Sequence, residues 1–164
     1  MKLQFISTII LSLALQNAFA EEAIVKGVNY DPVHSFEFAK AAGLDDKQGM
    51  IDAINLDLDK LADLQNNGYS KIRHLKTFFS VFSSLGTIPS KRVDLNIAEV
   101  VNNWNIKHPA NAIKLALGVY EFRVGPDSCS NESVCRQWTQ TQVNAAIASA
   151  KKYPELIDRI IVGN

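Results

Sequence analysis

The sequence predicts an α/β domain on a parallel sheet, with elements in the order β-α-β-α-β-α-β. Three observations carry this. Four short runs are rich in Val, Ile and Leu; longer segments with helical apolar spacing separate them; and cap or turn residues punctuate the junctions. Such alternation implies parallel strands joined by right-handed crossovers. Taken alone it fits either an open doubly wound sheet or part of a barrel. Both architectures present ligands at the carboxyl ends of the strands.

The first strand is Ala23 to Tyr30, and the polar stretch Asp31 to Lys47, with Pro32 and Gly43, reads as a loop. Ile51, Ile54, Leu58, Leu61 and Leu64 then recur at helical spacing, and Asn66-Asn67-Gly68 closes that helix with a left-handed cap. Asp52, Asp57, Asp59 and Asp63 fall between the apolar positions as its wet face. The second strand spans Lys71 to Phe79. A second helix carries Ile97, Val100, Val101 and Trp104, with Asn96 and Glu99 at capping-box spacing. Ala112 to Phe122 is the third strand. Thr139 with Gln142 opens a third helix whose stripe is Val143, Ala146, Ile147 and Ala150, and Pro154 follows its basic end. Leu156 to Gly163 is the fourth strand.

Residues 1–20 have the form of a secretory signal: Lys2 at the start, an apolar stretch from Phe5 to Leu15, and Ala18-Phe19-Ala20 as a small-x-small cleavage site. The apolar stretch falls short of the ~20 residues of a membrane span. The expected mature chain, residues 21–164, is a single domain in an extracellular, cell-surface or periplasmic setting, with no membrane attachment once the signal is removed. Its 16 basic and 17 acidic residues (17 and 17 in the whole chain, less Lys2) carry neither the basic footprint of a nucleic-acid binder nor a polybasic membrane patch.

Cys129 and Cys135 bound a short polar loop, which outside the cytoplasm predicts a local disulfide. His34, His74 and His108 are scattered, so no metal site is expected, and no other cofactor either. The first strand ends Asn29-Tyr30-Asp31-Pro32, not in a Gly-x-Gly-x-x-Gly loop, which argues against dinucleotide binding.

Chemistry-bearing residues gather along and at the ends of the predicted strands: Asn29, Tyr30 and Asp31; Arg73, His74 and Lys76; Tyr120, Glu121 and Arg123; and Asn164. Aromatic faces, a guanidinium and amides suit a sugar, because rings stack on its C–H faces and polar groups address its hydroxyls. Each residue alone also has an ordinary reading: Tyr30 and Tyr120 as wall packing, Arg73 as an ion-pair partner. Asp31 and Glu121 are the acids nearest the expected cleft, and a solvated loop-edge role is preferred for both.

Four motifs recur in order: Gly27-Val28-Asn29-Tyr30, Gly68-Tyr69-Ser70-Lys71-Ile72-Arg73, Leu117-Gly118-Val119-Tyr120 and Ile161-Val162-Gly163-Asn164. Across Ile24 to Asn164 the chain resembles the N-terminal half of family-17 glycoside hydrolases, β-1,3-glucanases of the retaining TIM-barrel clan. The resemblance implies the front half of a (β/α)8 TIM barrel truncated after strand four, since a whole one needs ~250 residues. It implies that Tyr30 lines the reactive subsite, that Arg73 stands near the nucleophile, and that Asn164 bonds the sugar 2-hydroxyl. Tyr120 joins them as a substrate-binding residue. In the family a glutamate general acid/base follows the asparagine, and the nucleophilic glutamate comes from the second half. Retaining hydrolysis needs two such carboxyls about 5–5.5 Å apart. The stretch His74-Leu75-Lys76-Thr77 departs from the aromatic that usually follows the arginine.

The expected partner is therefore a β-glucan polysaccharide or oligosaccharide, hydrolysed only by a full-length form. The competing reading is a noncatalytic remnant or carbohydrate-binding fragment. A periplasmic binding or redox module is a third, without a Cys-x-x-Cys to support it.

Overall fold

The computed structural model describes residues 26–68, 72–83, 94–125 and 128–163. The expected secretory signal and Asn164 lie outside the described residues. In chain order the strands are β1 (Lys26–Tyr30), β2 (Ile72–Thr77), β3 (Val81–Ser83), β4 (Asp94–Asn96), β5 (Lys114–Val119) and β6 (Ile157–Val162). The helices are α1 (Phe36–Gly43), α2 (Lys47–Asn66), α3 (Ile97–Lys107) and α4 (Glu132–Lys152). The chain is thus an α/β domain. Its main sheet is fully parallel in the order β1-β2-β5-β6, and β3 and β4 form a separate antiparallel pair.

Register decides which side chains share a face. Leu75 pairs with Val28 on one side and Leu115 on the other. Leu75, Leu115, Leu117 and Val119 are buried in one core, together with Phe38 of α1, Ile54 and Leu58 of α2, Val101 and Trp104 of α3, and Ala146 of α4. All four described helices therefore serve the same face of the sheet. Doubly wound sheets carry helices on both. Burying a side chain such as Ile54 or Leu58 contributes about 2 kcal/mol, so this layer supplies most of the fold's stability. The alternate residues Asn29, His74, Lys76, Ala116 and Gly118 belong to the opposite face.

The helices begin where side chains satisfy orphan backbone donors. The side chains of Ser35, Asp46, Asn96 and Asn131 accept from Phe38, Gly49, Ala98 and Val134 N–H groups at 3.2, 2.9, 2.9 and 3.1 Å. Gly68, at φ 74°, adopts the left-handed conformation expected after α2. Polar pins then fix the connections. Asn105 brackets Ile113, donating to its carbonyl at 2.8 Å and accepting from its N–H at 2.9 Å. Trp104 Nε1 donates to Asp59 Oδ1 at 2.8 Å and ties α3 to α2.

Three expectations need correction. The predicted loop Asp31–Lys47 holds a 3-10 turn at Pro32–His34 and then α1, which inserts Phe38 and Ala41 into the core. Helix α4 begins at Glu132, not near Thr139, because Asn131 caps it from inside the cysteine loop. Within its predicted stripe Ile147 is exposed, and the buried positions are Cys135, Gln142, Ala146 and Ser149. The β3–β4 pair has strands of three residues, too short to leave a periodic signal.

Candidate functional site

The carboxyl ends of β2 and β5 meet beneath a cluster of rings. Phe79 stacks on Tyr120 with centroids 4.9 Å apart and planes 20° from parallel. Phe122 lies 4.9 Å from Tyr120 and meets Trp138 of α4 edge-on at 5.3 Å. These rings are partly exposed, so the cluster is a platform and not sealed core. Offset and edge-to-face pairs of this kind add about 0.5–1.5 kcal/mol each beyond their area burial. Beside it, Glu121 to Val124 and the exposed side of α4 around Arg136 and Gln140 enclose an open cleft of about 590 Å³. Arg123 Nη2 pairs with Glu121 Oε2 across its mouth at 3.3 Å. The Phe122 N–H donates to Thr139 Oγ1 at 3.0 Å and anchors the loop to α4.

Two further contacts shape this end. Gln142, buried in α4, accepts from the N–H groups of Ser80 and Val81 at 2.7 and 3.0 Å and donates to the Val81 carbonyl at 2.7 Å. It thereby fixes the direction in which the chain leaves β2. Gly118 lets that turn sit against β5: its N–H donates to Thr77 Oγ1 at 3.3 Å, and its carbonyl accepts from Ser80 Oγ at 2.8 Å.

The predicted site residues separate. Tyr120 is at the rim. Tyr30 follows Val28 by two residues and shares its helix-facing side; its hydroxyl donates to Asp57 Oδ2 of α2 at 3.2 Å. Burial first, and then the Asp57 carboxylate, hold that hydroxyl well above its ordinary pKa range. Arg73 lies at the amino end of β2, away from the rim, and its Nη1 donates to Gln65 Oε1 at 3.3 Å and to the Ala110 carbonyl at 2.9 Å. Asn164 lies outside the described residues, although the Gly163 N–H donates to the Val119 carbonyl at 3.2 Å beside the end of β5. Cys129 and Cys135 are joined as a disulfide with Cα atoms 5.2 Å apart, closing the loop next to the cleft. Asp31 caps the 3-10 turn, accepting from the Val33 N–H at 3.1 Å.

The cation that β2 sends toward the rim is Lys76, on the helix-free face between Asn29 and Ala116, with Nζ 5.6 Å from the centre of the Phe78 ring. The same face carries His74, whose Nδ1 is 3.7 Å from Asp158 Oδ2, and Arg159, which holds that carboxylate at 2.7 Å. Counting in twos from buried Leu75 separates Lys76 from Thr77 and picks it out in the sequence. The sequence reads Gln142 only as the capping partner of Thr139, and nothing in it marks the residue as a clamp on the turn after β2, because its partners lie 61 and 62 positions away.

Tyr30 makes a pH prediction. An unfolded tyrosine ionises near pH ~10. The native state keeps its proton beyond that point while the unfolded chain loses it. The group's stabilisation is therefore complete below that pH and falls above it, by about 1.4 kcal/mol per pH unit. Urea unfolding on either side of pH ~10 should show this loss in the parent chain, and Tyr30→Phe should flatten it.

Among the described residues no group of His, Cys, Asp and Glu is placed to hold a metal ion, and no helix is long and apolar enough to cross a membrane. Comparison with known protein families, with curated proteins and with solved structures returns no match to the chain.

Proposed function

We propose that the chain is the sugar-binding half of a (β/α)8 barrel of the family-17 glycoside hydrolase type, secreted and directed at β-1,3-glucan. The observation that carries this reading is the sheet. Four parallel strands stand in chain order with every described helix on one face, which is the arrangement of successive barrel units. Tyr120 and its stacked neighbour Phe79 then lie at the carboxyl ends, where such folds bind ligands. Lys76 and Asn29 offer a charged donor and an amide on the adjoining face.

The reading changes two assignments. Lys76, not Arg73, is the basic group of the rim, and Tyr30 supports α2 in place of touching sugar. Asn164 keeps its proposed role toward the sugar 2-hydroxyl. Hydrolysis belongs to the full-length form, because this sequence carries neither of the family's two glutamates at a matching position. Residues 21–164 should bind glucan without cutting it.

Calorimetric titration of the secreted chain with a laminarin-type oligosaccharide tests this. Binding should be measurable, and Lys76→Ala and Tyr120→Ala should each weaken it about tenfold, or ~1.4 kcal/mol. Reducing-end release should stay at background. Turnover that disappears in Asp31→Asn or Glu121→Gln would overturn the noncatalytic assignment, and binding indifferent to both Lys76 and Tyr120 would overturn the site.

A further inference from the structure

We infer that Asn131 is the acceptor of an N-linked oligosaccharide, transferred from a lipid-linked donor as the chain enters a secretory pathway. The sequence contains a single Asn-x-Ser/Thr triplet with x other than proline, and it is Asn131-Glu132-Ser133. N-linked transfer uses that spacing because the hydroxyl at the third position is held while the amide nitrogen of the first is glycosylated. Capping of α4 explains the asparagine, but it asks nothing of residue 133.

The local structure suits an acceptor. Asn131, Glu132 and Ser133 are all exposed. Asn131 is extended, at φ −160° and ψ 166°, immediately before the first turn of α4. The two polar atoms of its amide have separate duties. Oδ1 caps the helix by accepting from the Val134 N–H at 3.1 Å. Among the described residues Nδ2 donates only to the exposed Ser130 Oγ, at 3.3 Å. A sugar on Nδ2 leaves the amide planar, uncharged and with one hydrogen, so Oδ1 continues to cap the helix. Glu132 and Cys135 line the cleft beside the aromatic platform and Asn131 does not, so the oligosaccharide stands at the edge of the cleft.

The disulfide is an independent pointer to the same compartment. Cys129 and Cys135 flank the triplet and are joined, with Cα atoms 5.2 Å apart. Disulfides persist in the oxidising spaces of the secretory route, where N-linked transfer also takes place. In the transfer, Asn131 Nδ2 forms a bond to the anomeric carbon of a sugar carried on a polyprenyl diphosphate. The bond from that carbon to the diphosphate oxygen breaks, the lipid diphosphate leaves with the electron pair, and Nδ2 gives up one proton. The inference rests on the secretion proposed above and is independent of glucan binding.

Expressed with its own leader in a eukaryotic secretory host, the chain should emerge carrying one oligosaccharide that a peptide N-glycosidase removes. Peptide mass mapping should place it on Asn131. Ser133→Ala and Asn131→Asp should each abolish it while keeping a cap, because a carboxylate oxygen replaces the amide oxygen in the second. Enzymatic release converts asparagine to aspartate, so the treated parent and Asn131→Asp become the same chain and should melt together. Asn131→Ala removes acceptor and cap at once and should melt about 4 °C below Ser133→Ala, which separates the lost cap from the lost sugar. A secreted chain without oligosaccharide, or one that keeps it in both Ser133→Ala and Asn131→Asp, overturns the inference. Failure of the chain to leave the cell behind its own leader counts against the secretion reading. The same chain behind the host's leader then decides the acceptor, with a modified Asn131 supporting the inference and a bare one overturning it.

Discussion

Replacing Gly118 by alanine should destabilise the fold by about 3 kcal/mol or more, the upper end of what overpacking costs. A Cβ at this position would stand 2.2 Å from the Thr77 carbonyl oxygen and 2.5 Å from the carbonyl carbon and oxygen of Phe78. All three obstacles are backbone, so no side chain can rotate away. Either β2 and β5 separate at their carboxyl ends or the turn after β2 moves, and both break the hydrogen bonds of Gly118 to Thr77 and Ser80. For a chain of this length the expected change in Tm is a fall of roughly 10 °C. Gly43→Ala is the control: nothing lies within 4 Å of its added Cβ, and loss of glycine entropy in α1 should leave stability equal or slightly higher. Equal melting of the two variants would show that the turn is not pressed against β5.

Gln142→Leu should cost about 3 kcal/mol, by a different route. Leucine conserves most of the volume, so little cavity is left. The loss comes from the Ser80 and Val81 N–H groups and the Val81 carbonyl, which share Gln142 as partner. A buried polar group stripped of its partner costs about 1–3 kcal/mol, and relaxation of the turn toward water recovers part of the sum. Gln140→Leu, two residues along on the exposed side of α4, breaks only an i,i+4 contact to Asn144 and should stay within about 0.5 kcal/mol of the parent. Urea unfolding of both separates the clamp from any general effect of an added apolar residue. Because Gln142 aims the segment bearing Phe79, its loss should also weaken the proposed glucan binding.

The main sheet was legible in the sequence because buried parallel strands are short apolar runs, and Leu115, Leu117 and Val119 fill that role. α2 and α3 were legible from their stripes and caps. α1 was not, since Phe38 and Ala41 are its only buried positions in eight residues and the preceding Pro32 reads as a loop. The start of α4 was hidden because Asn131 and Cys135 belong at once to the disulfide loop and to the first turn of the helix.

The residues of the proposed site were legible in part. Motif order picked out the four strands of the main sheet, and Tyr120 stands at the carboxyl end of β5. A motif does not state how far along its strand a residue sits, so Arg73, one position into β2, was assigned to the wrong end of the sheet. Nor does it state parity, although the alternation through Val28 and Tyr30 contains that information. The aromatic platform draws on three separate segments, with Phe79 on one, Tyr120 and Phe122 on the next and Trp138 on the last, and arises only when α4 folds back over the end of β5.

Backbone amide NMR of the chain during titration with a laminarin-type oligosaccharide tests the account most directly, because it reports which end of the sheet meets sugar. Shifts confined to Asn29, Lys76, Phe79 and the segment from Tyr120 to Val124 are the predicted result. Shifts centred on Gln65, Arg73 and Ala110, or none at saturating sugar, would contradict it.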